Sequence, residues 1–377
     1  MNSKSYLKNS RRKLPGLDGI RAVALIGVVA YHLYPANVKG GYLGVTLFFV
    51  LSGYLIAVTS EYDRRSRRFS PIYFYRKRLK RIWPSMILTV LVTAGILTLT
   101  APTVLVGMRR EVLSIFLGYN NWYQIAENSS YFTRIANQSP FTHMWSLAIE
   151  IQFYLIWPFL YVLFRDSLRR SEKSRWFWGG LLLVLALLMP LLYRSGQDPS
   201  RVYYGTDTRI IALLLGAAAG LGRSGRKRRR SGKRKGALCL VFCLLCLAAL
   251  WGFLNLDGQS EFTYRGGMLM FSLIFTGIVA LAADAELGIG KYLDILPLAW
   301  IGKRSYECYL WHYPIFYLFD RMGWNGSMIF VIIKLVMTLL VSCWMHGWMS
   351  RSGQMRRMFW MSRTRREAVG LKERKVG

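Results

Sequence analysis

Stretches without a single charged residue recur along this chain at close to the length of a bilayer crossing. Leu181 to Leu192 and Ala237 to Leu254 are two of them, and a spanning helix needs about 20 mainly apolar residues. Lipid offers no hydrogen bonds to a peptide group, so such a segment must satisfy its backbone internally, as a helix does. Composition agrees only if charge and apolarity are segregated, since 53% of the 377 residues are hydrophobic while the net charge is +32. The lysines and arginines flank the apolar runs instead of lining a soluble face, which argues against a nucleic-acid partner.

Reading apolar runs against their flanks gives about ten transmembrane helices, near 17–35, 42–59, 82–101, 142–164, 176–193, 208–222, 237–255, 267–283, 299–319 and 326–348. Alternating the connections puts 40 of the 51 lysines and arginines on one side and nine on the other. Basic loops stay in the cytoplasm, so both termini are expected there, and the number of spans is expected to be even. The fold class is therefore an all-α polytopic membrane helix bundle. Its expected parts are a cytoplasmic segment 1–16, a transmembrane domain 17–348 and a basic cytoplasmic tail 349–377. The longest outer connection, 102–141, contains Tyr119-Asn-Asn-Trp-Tyr123 and is expected to lie along the outer interface; the run Arg223 to Lys235 reads as a polybasic loop facing anionic lipid.

Arg11, Arg12 and Lys13 precede the first apolar run, but no small-residue cleavage site follows, so this reads as an uncleaved helix. Cys239, Cys243 and Cys246 share one helix face inside an apolar run without a histidine or acid beside them, a pattern of packing and not of metal binding. No metal site is expected.

Ionisable residues inside apolar spans are costly and turn toward the protein interior. Arg21 and His32 are 11 residues apart in the first span, which places them on nearly one face, about 16 Å apart along the axis. An arginine at an inner mouth suits a phosphate. An imidazole deeper in suits a general base or an acyl acceptor. Ser52 and Gly53 permit close helix approach, and Arg78 and Arg81, three apart, share a face. Glu150 lies within the fourth span and needs a partner, for which His32 is the expectation. His143 and His312, near the outer ends of spans, read equally as structural or functional.

Four ordered motifs resemble the acyltransferase-3 family of membrane acyltransferases. Its Arg-x10-His matches Arg21 and His32, its Gly-Val-x-Leu-Phe-Phe-Val-x-Ser-Gly-Tyr/Phe-Leu-Ile block matches residues 44–56, its Arg-x-x-Arg matches Arg78 and Arg81, and its Trp-Ser-Leu-x-x-Glu-x-x-Phe-Tyr matches residues 145–154. Within the family the chain looks most like the membrane part of Gram-positive peptidoglycan O-acetyltransferases, through Arg201-Val-Tyr-Tyr-Gly-Thr-Asp-Thr-Arg209 and the segment Trp300 to Pro314.

The resemblance implies a multi-pass cell-membrane enzyme that moves acetyl from cytoplasmic acetyl-CoA to an extracytoplasmic glycan hydroxyl, peptidoglycan N-acetylmuramic acid being the expected acceptor. Arg21, Arg78 and Arg81 would bind the donor. His32, oriented by Glu150, would carry out transfer, and Tyr204, with Tyr203 beside it, would pass the acyl group outward. Trp145, Ser146, Asp207 and Arg209 would contact substrate. A phenol is a plausible carrier only with a lowered pKa, for which Arg209 or Arg201 is the expected cause. Asp207 reads alternatively as a helix cap.

The close relatives carry a further span and an extracytoplasmic serine-esterase-like domain, whereas this sequence has no Gly-Asp-Ser motif and no downstream Asp-x-x-His. The expectation is that a separate extracytoplasmic esterase-like transferase completes the reaction, that the bundle does so directly, or that the chain is the membrane portion of a longer protein. The rival readings are an acyltransferase for another surface polysaccharide or a lipid-linked sugar, and a proton-coupled transporter built on His32 and Glu150.

Overall fold

A computed structural model describes residues 14–105, 107–132, 139–170, 172–223, 231–324 and 326–373, with side chains omitted at 105, 166–170, 173–175 and 352–373. The expectations for residues 1–13, for 224–230 of the polybasic run and for the side chains of the tail fall outside this description.

The helices, in chain order, are α1 (Leu17–Leu33), α2 (Leu43–Arg65), α3 (Pro71–Thr100), α4 (Met108–Leu117), α5 (Asn120–Ala126), α6 (Trp145–Arg170), α7 (Glu172–Leu192), α8 (Ser200–Tyr204), α9 (Thr206–Gly222), α10 (Gly232–Asn255), α11 (Met268–Ala282), α12 (Gly290–Leu293), α13 (Leu296–Lys303), α14 (Ser305–Arg321) and α15 (Met328–Glu373). No strand occurs among the described residues. Six helical stretches are long and apolar enough to cross a membrane: Leu43–Arg65, Pro71–Thr100, Thr142–Arg165, Gly232–Asn255, Thr263–Ala282 and Met328–Arg351. The protein is a multi-pass membrane helix bundle.

Burial sorts the spans into a centre and a periphery. In α2, 72% of the apolar window is buried, against 22% in α10 and in α15. The outward face of α10 presents Leu240, Leu244, Leu247, Trp251 and Leu254, and that of α15 presents Ile329, Ile332, Val336 and Leu340. In water such stripes would aggregate; against acyl chains they are solvated.

The central pair is α2 and α9, pressed together at backbone level. A Cβ on Gly53 would lie 1.9 Å from the Leu213 carbonyl oxygen, and one on Gly216 would lie 2.0 Å from that of Val50. Lipid supplies no hydrophobic drive for helix association, so this close van der Waals packing is what holds the pair. The close approach expected at Ser52 and Gly53 is found at Gly53. The small partner residues came from Gly216-Ala-Ala-Ala-Gly220.

Several features differ from the sequence reading, among them the last helix, which runs on to Glu373 instead of ending near residue 348. The third helix begins at Pro71 instead of near residue 82, because Ser70 accepts a cap bond from the Tyr73 amide at 3.1 Å and Pro71 fits the first helical position. Arg78 and Arg81 therefore ride on a helix and not on a loop. The ninth span is broken at Arg304 into α13 and α14. The outer connection does not simply lie on the interface: it folds into α4 and α5 and buries Glu111, Asn120, Asn121 and Gln124.

Candidate active site

α1, α2, α3, α6 and α14 enclose a cavity of about 90 Å³ whose walls include Arg21, Arg78, Arg81, Ser52, Glu150 and Tyr309. Each helix delivers its residue by register. Arg78 and Arg81 are one turn apart on α3. Arg21 is fixed by an ion pair from Nη1 to Asp18 Oδ1 at 2.8 Å, and Asp18 in turn is set by Gly302 of α13, where a Cβ would fall 1.8 Å from the Asp18 carbonyl oxygen. Arg78 Nη2 donates to Thr59 Oγ1 at 3.4 Å and the guanidinium lies 5.1 Å from the Tyr154 ring centroid. Arg81 is exposed and carries the cavity wall to the surface.

Three arginines against Asp18 and Glu150 leave this mouth positive, suited to a polyanion with bidentate oxygens. Arg21 from α1 and Arg78 and Arg81 from α3 thus line one cavity.

Glu150 is placed otherwise than expected. Its Oε1 accepts from Ser52 at 2.7 Å and its Oε2 from Tyr154 at 2.9 Å. It faces the arginine cavity, a turn and a half below the start of α6. His32 stands at the outer end of α1, with Tyr31, Tyr131, His312 and Tyr313 as ring neighbours. The two residues belong to adjoining clusters.

What joins the clusters is α14 with the start of α6. Tyr309, on the cavity wall, donates from its hydroxyl to the His143 carbonyl at 2.9 Å, and Ser146 Oγ lies 2.6 Å from the same phenol oxygen. The Tyr309 ring is 5.4 Å from that of His312, which is 5.4 Å from that of His32. A path of packed side chains runs from the arginines to the histidine.

Beyond the histidines lies an aromatic cluster. Trp145 packs at 4.7 Å from Tyr203 and 5.3 Å from Tyr204, and Tyr131 at 4.8 Å and 6.0 Å from the same two rings. Tyr204 is held by its backbone. Asn121 Nδ2 donates to the Tyr204 carbonyl at 3.0 Å and to Thr206 Oγ1 at 2.9 Å, and Gln152 Nε2 donates to Asn121 Oδ1 at 2.9 Å.

The arginines do not serve the phenols as expected. Arg209 is buried, donates to Thr46 Oγ1 at 2.9 Å and lies 5.0 Å from the Tyr203 ring centroid. Arg201 pairs with Asp207 at 2.9 Å, so Asp207 is an ion-pair partner of α8 in addition to sitting in the first turn of α9. Burial pushes both phenols, which lie on the short outer helix α8, well above their ordinary value. A Tyr204 carrier would have to be activated by a base, not by a lowered pKa.

Sequence reasoning missed Asn121, Tyr131, Tyr309 and Tyr313. Three of them sit in stretches dense in aromatic residues, where no spacing marks one ring out.

A family model described as an acyltransferase domain matches residues 14–347. The chain belongs to the acyltransferase-3 family. It is 35% identical over 346 residues to a putative peptidoglycan O-acetyltransferase, YrhL, of Bacillus subtilis, covering 88% of this chain and 53% of that protein. It is 36% identical over 318 residues to the peptidoglycan O-acetyltransferase OatA of Listeria monocytogenes, covering 83% and 51%. To the O-acetyltransferase OatA of Staphylococcus aureus it is 34% identical over 339 residues, covering 88% and 56%. The chain spans about half the length of these relatives. No solved structure matches it. The acyltransferase membership fits the path from a basic mouth to the half-buried imidazole of His32.

Proposed function

We propose that this protein is a membrane O-acetyltransferase that takes acetyl from cytoplasmic acetyl-CoA and delivers it to an extracytoplasmic glycan hydroxyl, N-acetylmuramic acid of peptidoglycan being the acceptor. Delivery is either direct or through a separate extracytoplasmic esterase-like transferase. The observation that carries this reading is the convergence of Arg21, Arg78 and Arg81 on one cavity that leads, past Ser146 and Tyr309, toward His32. In this reading about ten helices cross the bilayer, residues 17–348 form the transferase domain, and both termini face the cytoplasm. The basic mouth then opens where the donor is made.

The chemistry follows from the geometry. The arginines hold the phosphates of the donor outside and beside the cavity, and the narrow pantetheine arm enters between α2, α3 and α6. The thioester carbonyl reaches the imidazole of His32, which acts as acyl acceptor or base. Glu150 works from the donor side: with Ser52 and Tyr154 it fixes the cavity wall and balances the arginines. Trp145, Tyr204, Asp207 and Arg209 form the outer wall along which the acceptor approaches. The printed names of the relatives, peptidoglycan O-acetyltransferases, support this acceptor.

Mass spectrometry of muropeptides from cells with and without the gene tests the acceptor. Loss of the acetyl group on N-acetylmuramic acid is expected. An unchanged profile moves the acceptor to another surface polysaccharide or a lipid-linked sugar.

A further inference from the structure

α14 contains Pro314, which has no N–H, so the Leu310 carbonyl four residues earlier loses its helical partner. His143 takes it: Nε2 lies 3.1 Å from that oxygen. The adjacent Tyr309 carbonyl is 2.6 Å from Nδ1 of His312. A carbonyl only accepts, so these two ring nitrogens carry the protons, and the opposite nitrogens, Nδ1 of His143 and Nε2 of His312, present lone pairs. Both rings are buried. Among the described residues neither lone pair accepts a hydrogen bond.

A buried acceptor without a donor carries its full desolvation cost and calls for an explanation. The groups facing His312 are His32 from α1, His143 from the turn before α6, and Tyr309, Tyr313 and Phe316 from its own helix. None is a carboxylate or a lysine or arginine. Two backbone carbonyls thus fix two imidazoles in defined tautomers, with a basic edge of His312 one ring contact from His32.

We propose that His312 is the base of the second half-reaction, with His143 as a positioning residue beside it; this rests on the donor and His32 roles given above. In the first half-reaction the unprotonated nitrogen of His32 bonds to the acyl carbon, the carbon–sulfur bond of the thioester breaks, and the proton on the other His32 nitrogen leaves with the thiolate as the free thiol. In the second, the acceptor hydroxyl oxygen bonds to the acyl carbon while its proton passes to Nε2 of His312. The acyl carbon–nitrogen bond breaks, and the proton on His312 passes to the departing His32 nitrogen. An imidazole leaves an acyl carbon readily only when it is protonated as it goes, which is why a second imidazole beside His32 is of use.

The test uses the full chain in proteoliposomes with acetyl-labelled CoA and soluble peptidoglycan glycan chains. His312→Asn keeps an amide donor for the Tyr309 carbonyl but has no basic nitrogen, and His312→Gln is the companion variant of different reach. Steady-state transfer is expected to fall by about 100-fold or more, while donor binding stays within twofold, one equivalent of CoA is still released and label accumulates on the protein. Turnover within threefold of wild type in either variant overturns the proposal. So does loss of donor binding in both, which makes His312 structural. Failure of the wild type itself to consume acetyl-CoA overturns the donor reading instead, and this proposal with it.

Discussion

The inner cavity and the outer cluster are built from the same helices, α1, α6 and α14, yet they solve opposite electrostatic problems. At the mouth, charges are numerous and only partly answered: Arg21 pairs with Asp18 and Glu150 accepts from Ser52 and Tyr154, while Arg78 Nε has no partner among the described residues. Around His32 the ring neighbours are Tyr31, Tyr131, His312 and Tyr313, and several polar atoms, the phenols of Tyr203 and Tyr204 and a nitrogen each of His143 and His312, have no partner among the described residues. A site that binds a polyanionic donor keeps an excess of cations. A site that moves protons and an acyl group needs neutral acceptors and donors that a substrate completes. In the proposed function binding and transfer are divided along the bundle axis, and each half is testable without the other.

The largest effect is expected on the transfer side. His32→Ala should lower acetyl-CoA consumption by about 10²–10⁴-fold while leaving donor affinity within twofold, measured by thiol release and by titration calorimetry in detergent. Consumption at the wild-type rate removes His32 from the chemistry. On the binding side, Arg78→Ala combined with Arg81→Ala removes two charge-assisted contacts of roughly 1.5–3 kcal/mol each. Donor affinity should weaken by a hundredfold or more in direct binding, with single-turnover transfer from saturated enzyme nearly unchanged. Unaltered affinity returns both arginines to a topological role.

Tyr204→Phe sharpens the outer half. Transfer to glycan should fall about tenfold or more, since a hydroxyl acting in proton or acyl transfer is worth at least that. Tyr203→Phe, whose ring meets Arg209, should stay near wild type, and equal losses in both would assign the pair to packing. Tyr154→Phe, which deletes one bond to Glu150, should cost roughly 1 kcal/mol in donor affinity, about fivefold; an unchanged constant would detach Glu150 from the donor.

The smallest effect concerns Glu111 on α4, which accepts from Gln124 at 3.0 Å and Ser139 at 2.6 Å. Burial pushes its carboxyl up from 4.5 to about 7. The folded state therefore holds a proton that the unfolded chain has already released, so Glu111 favours folding fully below its ordinary value. That contribution is lost as pH rises through about 7. The thermal midpoint should fall by a few degrees between pH 5 and 8, and Glu111→Gln should flatten that dependence. A wild-type midpoint that rises over this range contradicts the burial of Glu111.

Much of the bundle was legible beforehand because bilayer length and charge segregation are local properties. Each of the ten apolar segments coincides with helix, the ninth with two, and the arginines of two separate motifs meet at one cavity. The pairing of Glu150 with His32 was not legible. Both residues are ionisable and half-buried in apolar helices, which suggests partnership, but Glu150 bonds to Ser52 and Tyr154 while the ring neighbours of His32 are Tyr31, Tyr131, His312 and Tyr313. Asn121 illustrates the same limit: its sequence neighbours read as interfacial aromatics, while its amide is spent on the backbone of Tyr204, 83 residues away.

By itself, then, the sequence determined an all-helical membrane bundle and the residue types able to bind an anionic donor and handle an acyl group, because each depends on periodicity, length and side-chain chemistry. Only the tertiary structure decided which of these residues stand together. Close backbone contact through Gly53, Gly216 and Gly302 sets helix depth and rotation, and the carbonyl freed by Pro314 draws His143 to the helix that carries His312. Depth and rotation place Glu150 in the arginine cavity and set the rings of Tyr31, Tyr131, His312 and Tyr313 around His32.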